Sequence, residues 1–323
     1  MKQLAGLNTL RFLGFLAIFV CHTSAYYQHG FQVVSYFFVL SSFLLFYLAL
    51  FEIEKTELFS KKNFFIRRSL RIFPLYFFAL FLGFIVVPMV ANFFNHGIKP
   101  AEHPIYYLFF LSNYDFSDHL FALKFLWSIA VEEQFYLLFL LLSPLFYKKS
   151  WLVIVILLLA YSTYILISTQ QQLPLFGTLP FHLINFVAGI VAAITFKNWN
   201  IPGRTYLVVF IALVIFSIVF AGHSVIFNMS SSFAFATLII LVIRASERFN
   251  LNQFKPFQWL EKLGSYSYGL YVYSGFAISF GTFFIHTGSA FFDAIIVLFI
   301  TIAVSVVSYR YFESYFLRWK KRF

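Results

Sequence analysis

The chain has 323 residues, 61% hydrophobic, 23% aromatic and only 11% charged, with a net charge of +11 and a mean hydropathy of +0.84. That balance excludes a soluble globular domain. A single cysteine, Cys21, excludes an internal disulfide framework and any cysteine-based metal cluster.

Ten apolar runs are long enough to cross a bilayer, at about 7–27, 31–51, 72–91, 126–147, 151–168, 180–196, 205–221, 224–243, 264–285 and 290–309. A shorter run, Ile105–Ser112, is too brief to span. Inside a bilayer the backbone must satisfy its own hydrogen bonds, so such runs predict an all-α, polytopic membrane bundle of about ten helices. All but three of the 23 Lys and Arg then fall on one side; Arg11, Lys99 and Lys124 are the exceptions. This is the positive-inside pattern with both termini cytoplasmic. The basic excess therefore reports topology, and no nucleic-acid partner is expected. The first run lacks a small-residue cleavage site and is followed at once by another, so it is not a cleavable signal peptide. One integral-membrane domain over 1–323, without a fused soluble domain, is the simplest organisation.

The opening run, LNTLRFLGFLAIFVCHTSAYY, carries Arg11 and His22. At about 100° per residue their separation is three turns plus roughly 20°, so both lie on one face, roughly 16 Å apart along the axis. A guanidinium in a membrane span marks a functional site by default; the competing reading is an arginine that snorkels to the headgroups. In the second run Ser35, Ser41 and Ser42 interrupt the aromatics, as suits close helix packing.

The basic segment that follows ends NFFIRRSLRIFPLYF. Arg67 and Arg71 share a helical face and Arg68 borders it. Three guanidiniums at a membrane entrance fit a phosphate-rich ligand or an anchor on lipid phosphate. Pro74 sits just inside the third run. The polar outer segment 92–124 holds His96, Glu102, His103, Asp115, Asp118 and His119 without metal-ligand spacing.

The stretch LWSIAVEEQFYLLFLLLSPLF contains Glu132 and Glu133, adjacent carboxylates inside an apolar run. Ser128, Glu132 and Tyr136 fall along one helical face. A carboxylate here needs a partner, most simply Arg11, His22 or another buried base. Farther on, His182 and Gly189 share a face, and Ser265, Ser267, Tyr271 and Tyr273 line the start of a span. Glu313 is placed to pair with Arg310 or a neighbouring span.

In combination these blocks match a family. Arg11 and His22 at their spacing, FFVLSSFLL, RRSLRIFPLYF, LWSIAVEEQFYLL, LGSYSYGLYVY and YRYFESYF occur in the order expected. The chain resembles the acyltransferase-3 family of membrane O-acyltransferases over nearly its whole length. The resemblance implies transfer of an acyl group, most often acetyl, from cytoplasmic acyl-CoA to a hydroxyl of a sugar or glycan, with no metal. It implies that His22 is the catalytic histidine, Arg11 its paired base and Glu132 the glutamate of the fourth span. Arg68 and Arg71, with Arg67 beside them, would serve the acyl donor. Glu133, Trp127, Tyr136 and His182 are the candidate substrate contacts. Three positions depart from the family's usual pattern: Ser42 where glycine is common, Ser274 where histidine is frequent, and His182 where arginine is common. The location implied is a bacterial cell membrane, in contact with lipid. The rival from another class is a transporter or flippase for a lipid-linked glycan, whose intramembrane charges would look alike. A third is a non-catalytic subunit of a polysaccharide machine.

Overall fold

The computed structural model describes residues 4–24, 31–94, 103–115, 121–146, 149–172 and 177–322. Residues 25–27 of the opening run, Lys2, Lys99, Lys148, His96, Glu102, Asp118 and His119 lie outside them. The described residues are helical with no strand. In chain order the helices are α1 (Leu7–Thr23), α2 (Phe31–Thr56), α3 (Lys61–Phe81), α4 (Val87–Phe93) and α5 (Pro104–Leu108). Then come α6 (Phe121–Lys124), α7 (Trp127–Leu142), α8 (Ser150–Gln171), α9 (Leu179–Asn198) and α10 (Gly203–Val219). The last are α11 (Ser224–Arg248), α12 (Lys255–Ser265), α13 (Ser267–Phe284), α14 (Ala290–Ser308) and α15 (Ser314–Trp319).

Seven helical segments are long and apolar enough to cross a membrane: Val33–Thr56, Lys61–Phe93, Phe121–Leu145, Ser150–Gln171, Leu179–Asn198, Ser224–Arg248 and Ala290–Trp319. The other three expected runs are the apolar helices α1, α10 and α13, of 17, 17 and 18 residues. The protein is a polytopic membrane helical bundle. Ile105–Ser112 forms only the five-residue α5 and the start of a 3-10 turn, in keeping with its length.

The chain divides into two compact units. The first comprises Met1–Ile18, Gln28–Phe59 and Leu138–Ser265. In it α2 and α9 approach closely. A Cβ on Gly189 would lie 1.9 Å from the Ser42 hydroxyl and 2.3 Å from the Val39 carbonyl oxygen, so only glycine fits. One side of α9 thereby meets α2, with the His182 ring 4.8 Å from that of Phe38. On α2 and α9, Lys197 pairs with Glu54 at 2.9 Å and donates to the Leu50 carbonyl.

The second unit comprises Phe19–Tyr27, Ser60–Leu137 and Tyr266–Phe323. Here α3 starts well before the apolar run at Ile72, because the Ser60 side chain caps it by accepting from the Asn63 amide at 3.3 Å. Pro74 therefore lies deep within a helix rather than near its start. A π turn, Leu82–Val86, follows α3 and leads directly into α4. Gly83 in that turn lets the Leu123 side chain approach, since a Cβ would meet it at 2.5 Å.

Candidate functional site

Helix α1 is continuous from Leu7 to Thr23, so the spacing that aligns Arg11 with His22 is realised. Arg11 is half-buried in the first unit, and its Nη1 donates to Asn8 Oδ1 at 2.7 Å. His22 is exposed, in the last turn of α1, within the second unit. Its ring lies 4.6 Å from Phe125 and 6.1 Å, edge-on, from Phe121.

From Phe125 the second unit carries a line of polar contacts down α7. The Tyr271 ring is 5.8 Å from Phe125, and its hydroxyl donates to the Phe125 carbonyl at 2.9 Å. The same hydroxyl lies 2.8 Å from that of Ser128. One turn on is Glu132, and one turn further Tyr136, whose hydroxyl donates to a Glu132 carboxylate oxygen. Of the expected face of Ser128, Glu132 and Tyr136, the last two are bonded to each other and Ser128 is bonded to Tyr271. Glu133 is buried beside it, and one of its carboxylate oxygens makes no hydrogen bond. Trp127, at the start of α7, is half-buried.

The arginines of α3 close the lower end. Arg68 is half-buried, its guanidinium carbon 5.6 Å from the Tyr136 ring and 5.7 Å from the Phe64 ring. It stands in electrostatic range of Glu132, Glu133 and Arg71. Arg67 and Arg71 are half-exposed on the same helix. Two further tyrosines tie this unit to backbone: Tyr76 donates to the Tyr107 carbonyl at 2.7 Å and Tyr268 to that of Ile72 at 2.9 Å.

His182 falls in the first unit and is wholly buried. Its Nδ1 lies 3.0 Å from Asn185 Nδ2, and Asn185 Oδ1 accepts from Ser232 at 2.7 Å. Asn228 continues the network, accepting from Ser35 at 3.4 Å and donating to the Phe181 carbonyl at 3.3 Å. Such a network holds α2, α9 and α11 together without hydrophobic force between helices.

The second unit also holds an apolar cavity of about 250 Å³. It is lined by Val86, Val90 and Phe94 on one side and Phe276, Phe280 and Phe283 on the other. Among the described residues no three His, Cys, Asp or Glu converge as a metal site.

Residues 4–310 match the family described as an acyltransferase domain. The chain belongs to the acyltransferase-3 family. The chain is 33% identical over 150 residues to the peptidoglycan O-acetyltransferase OatA of Listeria monocytogenes, covering 42% of this chain and 24% of that protein. It is 34% identical over 150 residues to the O-acetyltransferase OatA of Staphylococcus aureus, covering 43% and 24%. The chain thus spans about a quarter of the length of these curated relatives. No solved structure matches it.

The residues alone left the partner of Glu132 open among Arg11, His22 and another buried base; Tyr136 bonds it and Arg68 stands in range. Phe125 escaped notice because an aromatic before an apolar helix carries no chemical signal. Only the folded chain shows that it stands between His22 and Tyr271.

Proposed function

We propose that this protein is an O-acetyltransferase of the bacterial cell membrane, moving an acetyl group from cytoplasmic acyl-CoA to a hydroxyl of an extracytoplasmic or lipid-linked glycan. The observation that carries the reading is the face of α7, with His22 beside Phe125 at one end and Arg68 beside Tyr136 at the other. Family membership and the O-acetyltransferase names of the relatives support it.

In this reading the cations of α3 hold the phosphates of acyl-CoA, since guanidinium forks match phosphate oxygens. Arg68 links that patch to the carboxylates of α7. Neutral His22 takes the proton from the glycan hydroxyl as its oxygen attacks the thioester carbonyl, a general-base step worth about 10²–10⁴-fold. A C–O bond forms, the C–S bond breaks, and the proton on His22 passes to the departing thiolate, giving CoA and an acetyl ester. Glu132 stabilises the imidazolium through the polar face of α7, and Arg11, roughly 16 Å from His22 along the same helix, orients the donor's arm rather than touching the reacting carbonyl. Glu133, Trp127 and Tyr136 shape the acyl passage; His182 supports α9 from within its buried network.

The test uses the full chain in lipid nanodiscs with labelled acetyl-CoA and a glycan acceptor. Labelled ester should form, and His22→Ala should abolish it without altering thermal stability. Normal transfer by His22→Ala would refute the catalytic assignment, and a wild-type protein that neither binds nor cleaves the thioester would refute the transferase reading.

A further inference from the structure

The first amides of a helix have no acceptor one turn earlier within it. In α1 that need is met from outside. The Thr9 amide donates to Glu261 Oε1 at 2.8 Å, and the Thr9 hydroxyl donates to the same oxygen at 2.9 Å. Glu261 belongs to α12, and a carboxylate at a helix start also complements the helix dipole.

A second contact fixes the same turn. Gly264, in the last turn of α12, lies flush against α1: a Cβ there would sit 1.7 Å from the Asn8 carbonyl oxygen. Asn8 in turn holds Arg11, accepting from Nη1 at 2.7 Å. Glu261 and Gly264 grip Thr9 and Asn8, and Asn8 grips Arg11. The opposite side of α12 is anchored differently. Trp259 is 65% exposed, with the Lys262 ammonium 5.7 Å from its ring, while Phe257 faces inward. A short amphipathic helix with an outward Trp and Lys suits a membrane–water interface.

We infer that α12 is an interfacial clamp on α1 and that Glu261 is a positioning residue, fixing the Arg11 guanidinium through Thr9 and Asn8. The inference rests on the transferase reading for the role of Arg11. The clamp itself is independent of that reading. Misplacing a group that orients a reactant by a fraction of an ångström lowers turnover more than it lowers binding of a substrate held elsewhere.

The experiment compares wild type, Glu261→Ala, Glu261→Gln and Thr9→Val, each as the full chain in nanodiscs. Glu261→Ala should lower kcat for acetyl transfer roughly tenfold, with the KM for acetyl-CoA changed by less than about twofold. Amide exchange over the first turns of α1 should accelerate in the same variant. The glutamine carbonyl oxygen accepts both bonds, so Glu261→Gln should return kcat and exchange to near wild type. Thr9→Val, which keeps the amide bond, should fall between and serves if Glu261→Ala does not fold. A glutamine variant as impaired as alanine, a loss in KM alone, or unchanged exchange in α1 would overturn the clamp. Faster exchange with unchanged kcat would overturn the positioning role while leaving the transferase reading intact. Wild-type protein without any acetyl transfer would refute that reading instead, and the exchange comparison would still decide on the clamp.

Discussion

The hydroxyls of Ser128 and Tyr271 lie 2.8 Å apart, joining α7 to α13 at the level where Phe125 meets His22. Tyr271→Phe removes this bond and the one to the Phe125 carbonyl, leaving the buried Ser128 hydroxyl with only a 3.5 Å bond to the Phe125 carbonyl. The expected loss is about 1–2 kcal/mol, at roughly 0.5–1.5 kcal/mol per bond. Thermal unfolding of the purified variant measures it. A phenylalanine variant as stable as wild type would show that the contact contributes nothing.

Arg68 supplies the positive charge beside two carboxylates, one of them buried with an oxygen that makes no hydrogen bond. Removing the cation beside a buried carboxylate costs about 3–5 kcal/mol in a closed pair, and less here, about 2 kcal/mol, because Arg68 is half-exposed and stands in electrostatic range of the carboxylates. Arg68→Met should therefore be less stable than Arg67→Met. Adding Glu133→Gln should recover part of the loss, since the buried carboxyl left without a neighbouring cation goes with it. Equal stability of the two arginine variants, or no recovery in the double variant, would contradict the pairing.

Gly189 admits no side chain. Gly189→Ala forces α9 away from α2 and should cost about 1–3 kcal/mol, the usual range for overpacking. Trimming the neighbour with Ser42→Gly should not restore stability, because the Val39 carbonyl, 2.3 Å from the added Cβ, belongs to the backbone. Full rescue by Ser42→Gly would show that only the hydroxyl stands in the way.

For the donor, Arg67→Gln with Arg71→Gln should raise the KM for acetyl-CoA by about tenfold or more, at roughly 1.5–3 kcal/mol per charged hydrogen bond lost. The KM for the glycan should stay within about twofold. Equal shifts in both constants would place the donor phosphates elsewhere.

Much of the bundle was legible in the residues because a bilayer leaves the backbone no choice but helix, so apolar length alone marks a span. Seven of the ten expected runs meet that criterion as helices, and the adjacency of Glu132 with Ser128 and Tyr136 followed from the helical period. The early start of α3 was not legible: its first turns are polar, and the Ser60 cap is a weak signal in a basic stretch. Helix α12 was hidden for a related reason, since KPFQWLEKLGS is neither apolar enough for a span nor bounded by strong caps. Which base stands near Glu132 was left open, because charge pairing between helices depends on which faces meet, and periodicity within one helix does not encode that. The packing of His182 into a network of Asn185, Asn228 and Ser232 is likewise tertiary, although the serines of α11 stand out once their helix is known.

The π turn at Leu82–Val86 fits one extra residue into a single coil of helix, so it shifts the angular phase of everything after it. Deleting one of residues 82–85 would leave an ordinary α-helix and a chain that still spans. It would also swing α4 by about 100°, carrying Val90 and Phe94 away from the cavity they line with Phe280 and Phe283. A one-letter deletion would thus empty one side of the cavity without removing any of the residues that line it.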